Sequence, residues 1–296
     1  MKKSKFLKSG VALSLMFAGL TAVSQSSSAA STDPPIINLG GFAKKTTISK
    51  TTFAPGVVEF HVTTSPMDPN EGPDNVAIVK TDNLNLVLDQ FRTAFTAKDT
   101  PAGHAATAAA MRTAHQNSTF YGGGPKGTVW QVNLPAGHYY AVTGNAVLFG
   151  EGKPVEFTVA GAPDSISTMH ATQMTLGALG AVGANQWEVA QTGKPVQWIQ
   201  FANNSQEVHF MALNGLRSST TTSMISKSLA SHSEDAALYN HVDPAGFDII
   251  SPGVTVVFKQ AWKPGKYVVW CFIPSEIDGT AHADQGFWKL YTVKKA

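Results

Sequence analysis

The chain has 296 residues, 43% hydrophobic and 14% charged, with 22 Lys+Arg against 20 Asp+Glu. Residues 1–30 carry Lys2, Lys3, Lys5 and Lys8 and no other charge, so 22 less these four leaves 18 basic against 20 acidic residues, a net −2. A nearly neutral chain argues against nucleic acid as a partner, because a phosphate backbone is met by a clear basic patch.

The four lysines precede an apolar run, Val11 to Val23, and Ser28-Ala29-Ala30 offers small residues for cleavage. A positive stretch, a short apolar stretch and small residues are the order of an export signal. Residues 1–30 are expected to be a signal peptide, the alternative being an uncleaved anchor. The protein is then secreted, periplasmic or held in the cell envelope. No later stretch is apolar for long enough to cross a bilayer, so no transmembrane segment is expected after signal removal.

Glycine and proline are plentiful and β-branched residues recur in short runs, the profile of an all-β sandwich protein with many turns. Residues 31–45 look like a linker, rich in Pro, Gly and polar residues. From Thr46 strands begin, and in Gly56-Val57-Val58-Glu59-Phe60-His61-Val62-Thr63 the period of two puts Val58, Phe60 and Val62 on one face. Asn75 to Val79 is a second strand. Leu84, Val87, Leu88, Phe91 and Phe95 fall at helical spacing, with Asp82 or Asn83 as cap. Ala105 to His115 is a second helical run, ended by Gly122-Gly123-Gly124-Pro125. Strands are expected at Thr128 to Val132, at Tyr139 to Thr143 after a Pro135-Ala136-Gly137 turn, and at Val155 to Val159. Ala160 to Pro163 marks a boundary.

The second half repeats this order. Strands are expected from Gln186, across Pro195 to Phe201, at Val208 to Leu213 and at Thr255 to Phe258. Ser223 to His241 reads as a helical insert. Leu134-Pro135-Ala136-Gly137-His138-Tyr139 echoes Trp262-Lys263-Pro264-Gly265-Lys266-Tyr267, and Val155 to Val159 echoes Lys289 to Val293. The expected architecture is therefore two tandem sandwiches, residues 46–162 and 163–296, each with a short helical insert.

Cys271 is the only cysteine, so it forms no intramolecular disulfide. It is a buried inert thiol, an intermolecular link or a ligand. Laying Tyr139 on Tyr267 puts Thr143 at its position, and the first half also lacks counterparts of His209 and His282. Their joint absence favours a working set. Two imidazoles and a thiolate, with a weak axial partner, describe a mononuclear blue-copper centre. The same trio could hold zinc.

The second half resembles a cupredoxin. The resemblance is carried by the His209 strand after a polar Asn203-Asn204-Ser205 stretch, by Pro264-Gly265-Lys266-Tyr267, by Cys271-Phe272-Ile273-Pro274, and by Asp278-Gly279, His282 and Gly286. It implies a Greek-key β-sandwich with one type 1-like copper ion held by His209, Cys271 and His282. Ten residues separate Cys271 from His282, and Phe287 follows Gly286 where the family usually has methionine. That leaves open a three-coordinate site, an axial Gln285 or Met211, or a lost site.

The remaining histidines are scattered. No His-x-His pair is present, so the trinuclear cluster of multicopper oxidases is not expected, and no hydrolase, metalloprotease or phosphate-loop motif appears. The function expected is copper binding with one-electron transfer to a redox partner protein, without enzymatic activity. The alternative is a metal-free binding or structural module of the cell envelope.

Overall fold

Alternating apolar residues become strands where one face finds a core to bury. The computed structural model describes residues 33–42, 45–64, 67–68, 72–73, 75–144, 152–163, 167–231, 238–240 and 245–295. The expected signal peptide, 1–30, lies outside the described residues. Val58, Phe60 and Val62 of β4 (Gly56–Thr64) point inward together and are buried.

Two large mixed sheets form the molecule. The first runs β13 (Gln186–Gln191), β12 (Met174–Gly180), β14 (Val196–Ser205), β17 (Thr255–Trp262), β9 (Val129–Leu134), β4, β1 (Ile36–Phe42), β2 (Lys45–Ile48). The second runs β19 (Trp288–Val293), β18 (Gly265–Trp270), β15 (His209–Leu216), β16 (Ala245–Ile250), β8 (Thr119–Gly124), β7 (Val76–Lys80), β10 (Gly137–Thr143), β11 (Val155–Val159), β3 (Thr52–Phe53). A small ribbon pairs β5 (Met67–Asp68) with β6 (Gly72–Pro73). Each sheet takes one side from each half of the chain. The halves meet where β17 pairs with β9 and where Ile250 of β16 bridges to Tyr121 of β8.

The order is mirrored about that junction. β1 lies parallel to β4 and antiparallel to β2, as β12 lies parallel to β14 and antiparallel to β13. In the other sheet β10 stands between β7 and β11 as β18 stands between β15 and β19. The Tyr139 hydroxyl donates to the Pro135 carbonyl at 2.5 Å, and Tyr267 donates to Lys263 at 2.8 Å. The same corner is thus built in both halves.

Helices α1 (Leu84–Thr96) and α2 (Pro101–Gln116) sit between β7 and β8, and α3 (Thr222–Ala230) between β15 and β16. The Asn83 side chain accepts from the Leu86 amide at 3.1 Å, and Thr100 accepts from Gly103 at 3.1 Å, so each helix starts on a side-chain cap.

Three local expectations are revised. Ile36–Phe42, taken as linker, is a strand, because β4 offers it a parallel edge and Ile37 and Leu39 a buried face. The glycine run ending α2 belongs to β8; a Cβ on Gly123 would stand 2.1 Å from the Val76 carbonyl, so the glycines permit close strand approach rather than a break. The second-half helix ends at Ala230, and Tyr239 forms a bridge with Leu216; residues 232–237 and 241–244 lie outside the described residues.

One apolar core runs through both halves. The rings of Trp130 and Phe247 meet edge-on at 6.0 Å across the junction, and Phe247 stacks on Phe258 at 4.9 Å. Burying each such ring is worth about 1.5–3 kcal/mol, so the junction is held by the same force as either half.

Candidate metal centre

His209 opens β15, a strand that buries alternate residues: His209, Met211 and Leu213 face inward. Cys271 follows β18, which is covered on both faces. Tyr267, Val269 and Cys271 join the main core, while Val268 and Trp270 join a smaller cluster with α3. The strand period therefore aims the thiol at the core face that receives His209.

The ten-residue loop does not carry His282 away. It folds back on itself: Pro274 bridges Ala281, the His282 amide donates to the Ile273 carbonyl at 3.0 Å, and the Ala283 amide donates to the Cys271 carbonyl at 2.8 Å. All three residues named from the sequence come together. Their ligand atoms lie within 4.8 Å of one another, and all three are buried. Cys271 Sγ is 3.6 Å from His282 Nδ1, and the two imidazole rings are 4.6 Å apart.

The donor set is chemically suited to a metal. Both ring nitrogens of His209 are buried without a hydrogen-bond partner. An unpaired buried polar group costs about 1–3 kcal/mol, so this imidazole is held where a metal would satisfy it. Burial pushes its pKa well below the ordinary value, aided by His282 and opposed by Glu207, which keeps the ring neutral with a lone pair free. Burial also pushes the Cys271 thiol up to about 12, so the metal-free protein carries it protonated and metal binding must release that proton.

Phe287 closes one side. Its ring lies 4.5 Å from that of His209, stands perpendicular to His282 at 6.0 Å, and stacks on Trp187 at 4.5 Å. Gln285 is exposed and committed elsewhere: its amide nitrogen donates to Asp278 Oδ1 at 2.8 Å and Thr280 Oγ1 at 3.0 Å. Met211 is buried and lines an apolar cavity of about 440 Å³ beneath α1.

Sequence reasoning passed over two supports of the ligand loop. The first is Glu207, fully buried, whose Oε1 lies 3.2 Å from His282 Nε2, in ion-pair range but out of line for a hydrogen bond. Burial alone would raise its pKa, but His282 and the amides of Gly183 and Glu276 reverse this and hold it far below the usual carboxylate range. Its only sequence signal was an acidic residue two places before a strand histidine. The second is α2. Arg112 donates to the Glu276 carbonyl, and His115 Nδ1 lies 2.7 Å from Glu276 Oε1. A Cβ on Gly279, where φ is +75°, would stand 2.1 Å from the His104 carbonyl. The first half of the chain thus braces the loop of the second.

No protein-family model and no curated protein sequence matches the chain. Solved structures do. Dithionite-reduced auracyanin from Roseiflexus castenholzii is 20% identical, with TM-score 0.26, over 40% of this chain and 94% of its own. Fet3p, a multicopper oxidase, is 10% identical, with TM-score 0.23, over 90% of this chain and 67% of its own. The copper-containing nitrite reductase of Thermus scotoductus is 11% identical, with TM-score 0.20, over 88% and 61%. By its own topology the fold is all-β, built on two large mixed sheets.

At such TM-scores these likenesses carry no argument for the site, and the centre stands on its own geometry. One expectation is corrected. The sequence assigned no enzymatic activity because catalytic motifs are missing. Fet3p and the nitrite reductase are enzymes, and each matches most of this chain. A missing His-x-His pair bears on a trinuclear cluster and on no other catalysis, so the non-enzyme assignment is withdrawn. Among the described residues no helix is long and apolar enough to cross a membrane.

Proposed function

We propose that this chain is an exported cupredoxin-like protein that binds one copper ion at His209, Cys271 and His282 and passes single electrons through it. The observation that carries the reading is the buried His209 imidazole, both nitrogens unpartnered, beside a buried thiol and a second imidazole. Copper held by two imidazoles and a thiolate shuttles between Cu(I) and Cu(II). The chain supplies a neutral His209 on β15, a thiol just past β18 that must yield its proton, and a loop hydrogen-bonded back on Ile273 and Cys271 that places His282. Phe287 shields the His209 side from water and offers no ligand atom.

Export is supported by the lysines and apolar run of residues 1–30. A duplicated origin, with sandwiches at 46–162 and 163–296, is supported by the mirrored strand order and the paired tyrosine corners. A redox partner protein would be the counterpart in electron transfer.

The test is Cu(II) titration of the mature protein beside Cys271→Ser. The expected result is one equivalent of copper and an intense thiolate-to-copper absorption that the variant lacks. Stoichiometric zinc with no copper band would replace copper by zinc. Absence of any metal uptake, with Cys271 still titratable, would overturn the reading.

A further inference from the structure

Four protein donors surround the buried Glu207 carboxylate, about as many as its two oxygens can accept. Oε2 accepts from the Gly183 amide at 2.9 Å and from Asn185 Nδ2 at 2.6 Å. Oε1 accepts from the Glu276 amide at 2.9 Å and from the Ser275 hydroxyl at 3.3 Å. Gly183 and Asn185 belong to the turn between β12 and β13; Ser275 and Glu276 belong to the ligand loop. Glu207 itself precedes His209 by two residues. One side chain therefore ties three segments of the second half together, and the same Oε1 faces His282 Nε2 at 3.2 Å.

We infer that Glu207 is the positioning residue of the centre: it fixes which nitrogen of His282 faces Cys271, and it pins the long ligand loop to the sheet. The inference rests on the proposed metal reading for its purpose, though not for its geometry. Every protein group around the two oxygens is a donor, so the carboxylate acts as acceptor only. A neutral imidazole has one N–H and one lone pair; a lone pair on Nε2 would face the Glu207 Oε1 lone pairs at 3.2 Å, and that repulsion favours the hydrogen on Nε2 although the contact is not an aligned hydrogen bond. Nε2 is thus the protonated nitrogen, and Nδ1, 3.6 Å from Cys271 Sγ, presents its lone pair to the site. A carboxylate on the far nitrogen of a ligating histidine sets ring orientation and basicity, and its loss costs about 10–100-fold in metal affinity. Here it answers a specific need. Ten residues between Cys271 and His282 leave the second imidazole to a loop, and Glu207 supplies from the sheet the rigidity that a shorter loop would have by itself.

The decisive measurement is nitrogen-15 NMR of the His282 ring in metal-free wild-type protein. The expected tautomer is Nε2–H; an Nδ1–H ring would overturn the inference with no variant needed. Glu207→Ala should lose that preference and bind copper about 10–100-fold more weakly. Glu207→Gln, nearly isosteric, covers the case in which the alanine variant fails to fold. It keeps an acceptor for Nε2–H but sets an amide against the donors of Gly183 and Asn185, so it should keep the tautomer and still lose at least about tenfold in affinity. A folded variant with wild-type tautomer and wild-type affinity for copper would refute the positioning role. Should wild-type protein take up no metal, the metal reading fails while the tautomer still decides the role of Glu207.

Discussion

Replacing His209 by leucine separates a ligand from a core histidine. A core histidine satisfied by partners would cost several kcal/mol to remove. This one has two buried ring nitrogens and no partner for either, so the wild-type metal-free protein carries an uncompensated cost of about 1–3 kcal/mol. Leucine has similar volume and can pack on Phe287, whose ring now lies 4.5 Å from that of His209. Removing an unpaired polar group in favour of an apolar one of like shape is near neutral or stabilising. His209→Leu should therefore match or exceed metal-free wild type, by up to about 2 kcal/mol. At this size that is a rise of about 2–4 °C in Tm for each kcal/mol. Copper should then invert the ranking: at a thousand times Kd it stabilises wild type by about 4 kcal/mol and leaves the variant unchanged. Thermal and urea unfolding with and without copper read both terms. A metal-free variant destabilised by more than about 2 kcal/mol would mean that the imidazole is structurally partnered, and the argument for a preorganised ligand would collapse.

Phe287→Met places a thioether where the ring now lies beside His209. It should keep the fold, at a cost near 1 kcal/mol for the lost stacking on Trp187, and lower the reduction potential by favouring Cu(II); an unchanged potential in voltammetry would show that position 287 does not reach the metal. His115 has its pKa raised above 6.5, first by its hydrogen bond to Glu276, against desolvation and with help from the charges of Glu276 and Glu207. A raised folded value means that this contribution to stability is fully present below about pH 6.5 and fades as pH climbs through the folded value. Tm against pH should therefore fall more steeply above pH 6.5 for wild type than for His115→Gln; parallel curves would show that α2 does not brace the ligand loop through this pair.

Much of the local structure was legible. Val58, Phe60 and Val62 declare a half-buried strand by their spacing, and the apolar members of α1 declare its buried face, because both signals are periodic and short-range. The three residues proposed as ligands were legible as a set because chain order survives even where spacing does not. Gln285 was open as an axial donor in sequence; in the structure its side chain is exposed and its amide nitrogen is tied to Asp278 and Thr280. Ile36–Phe42 was hidden, since Pro34-Pro35 and Gly40-Gly41 mask a strand whose partner lies in β4.

The sequence by itself determined the strand pattern, the corner tyrosines and the chemistry of one thiol and two imidazoles, because side-chain type and periodicity are local properties. Only the tertiary structure decided that both sheets run through both halves, that α2 of the first half presses on the ligand loop of the second, and that Glu207 faces His282. Those contacts join residues more than sixty positions apart, as Glu207 to Glu276 or His115 to Glu276. Nothing local encodes such a pairing; it is fixed when the two sheets close on a single apolar core.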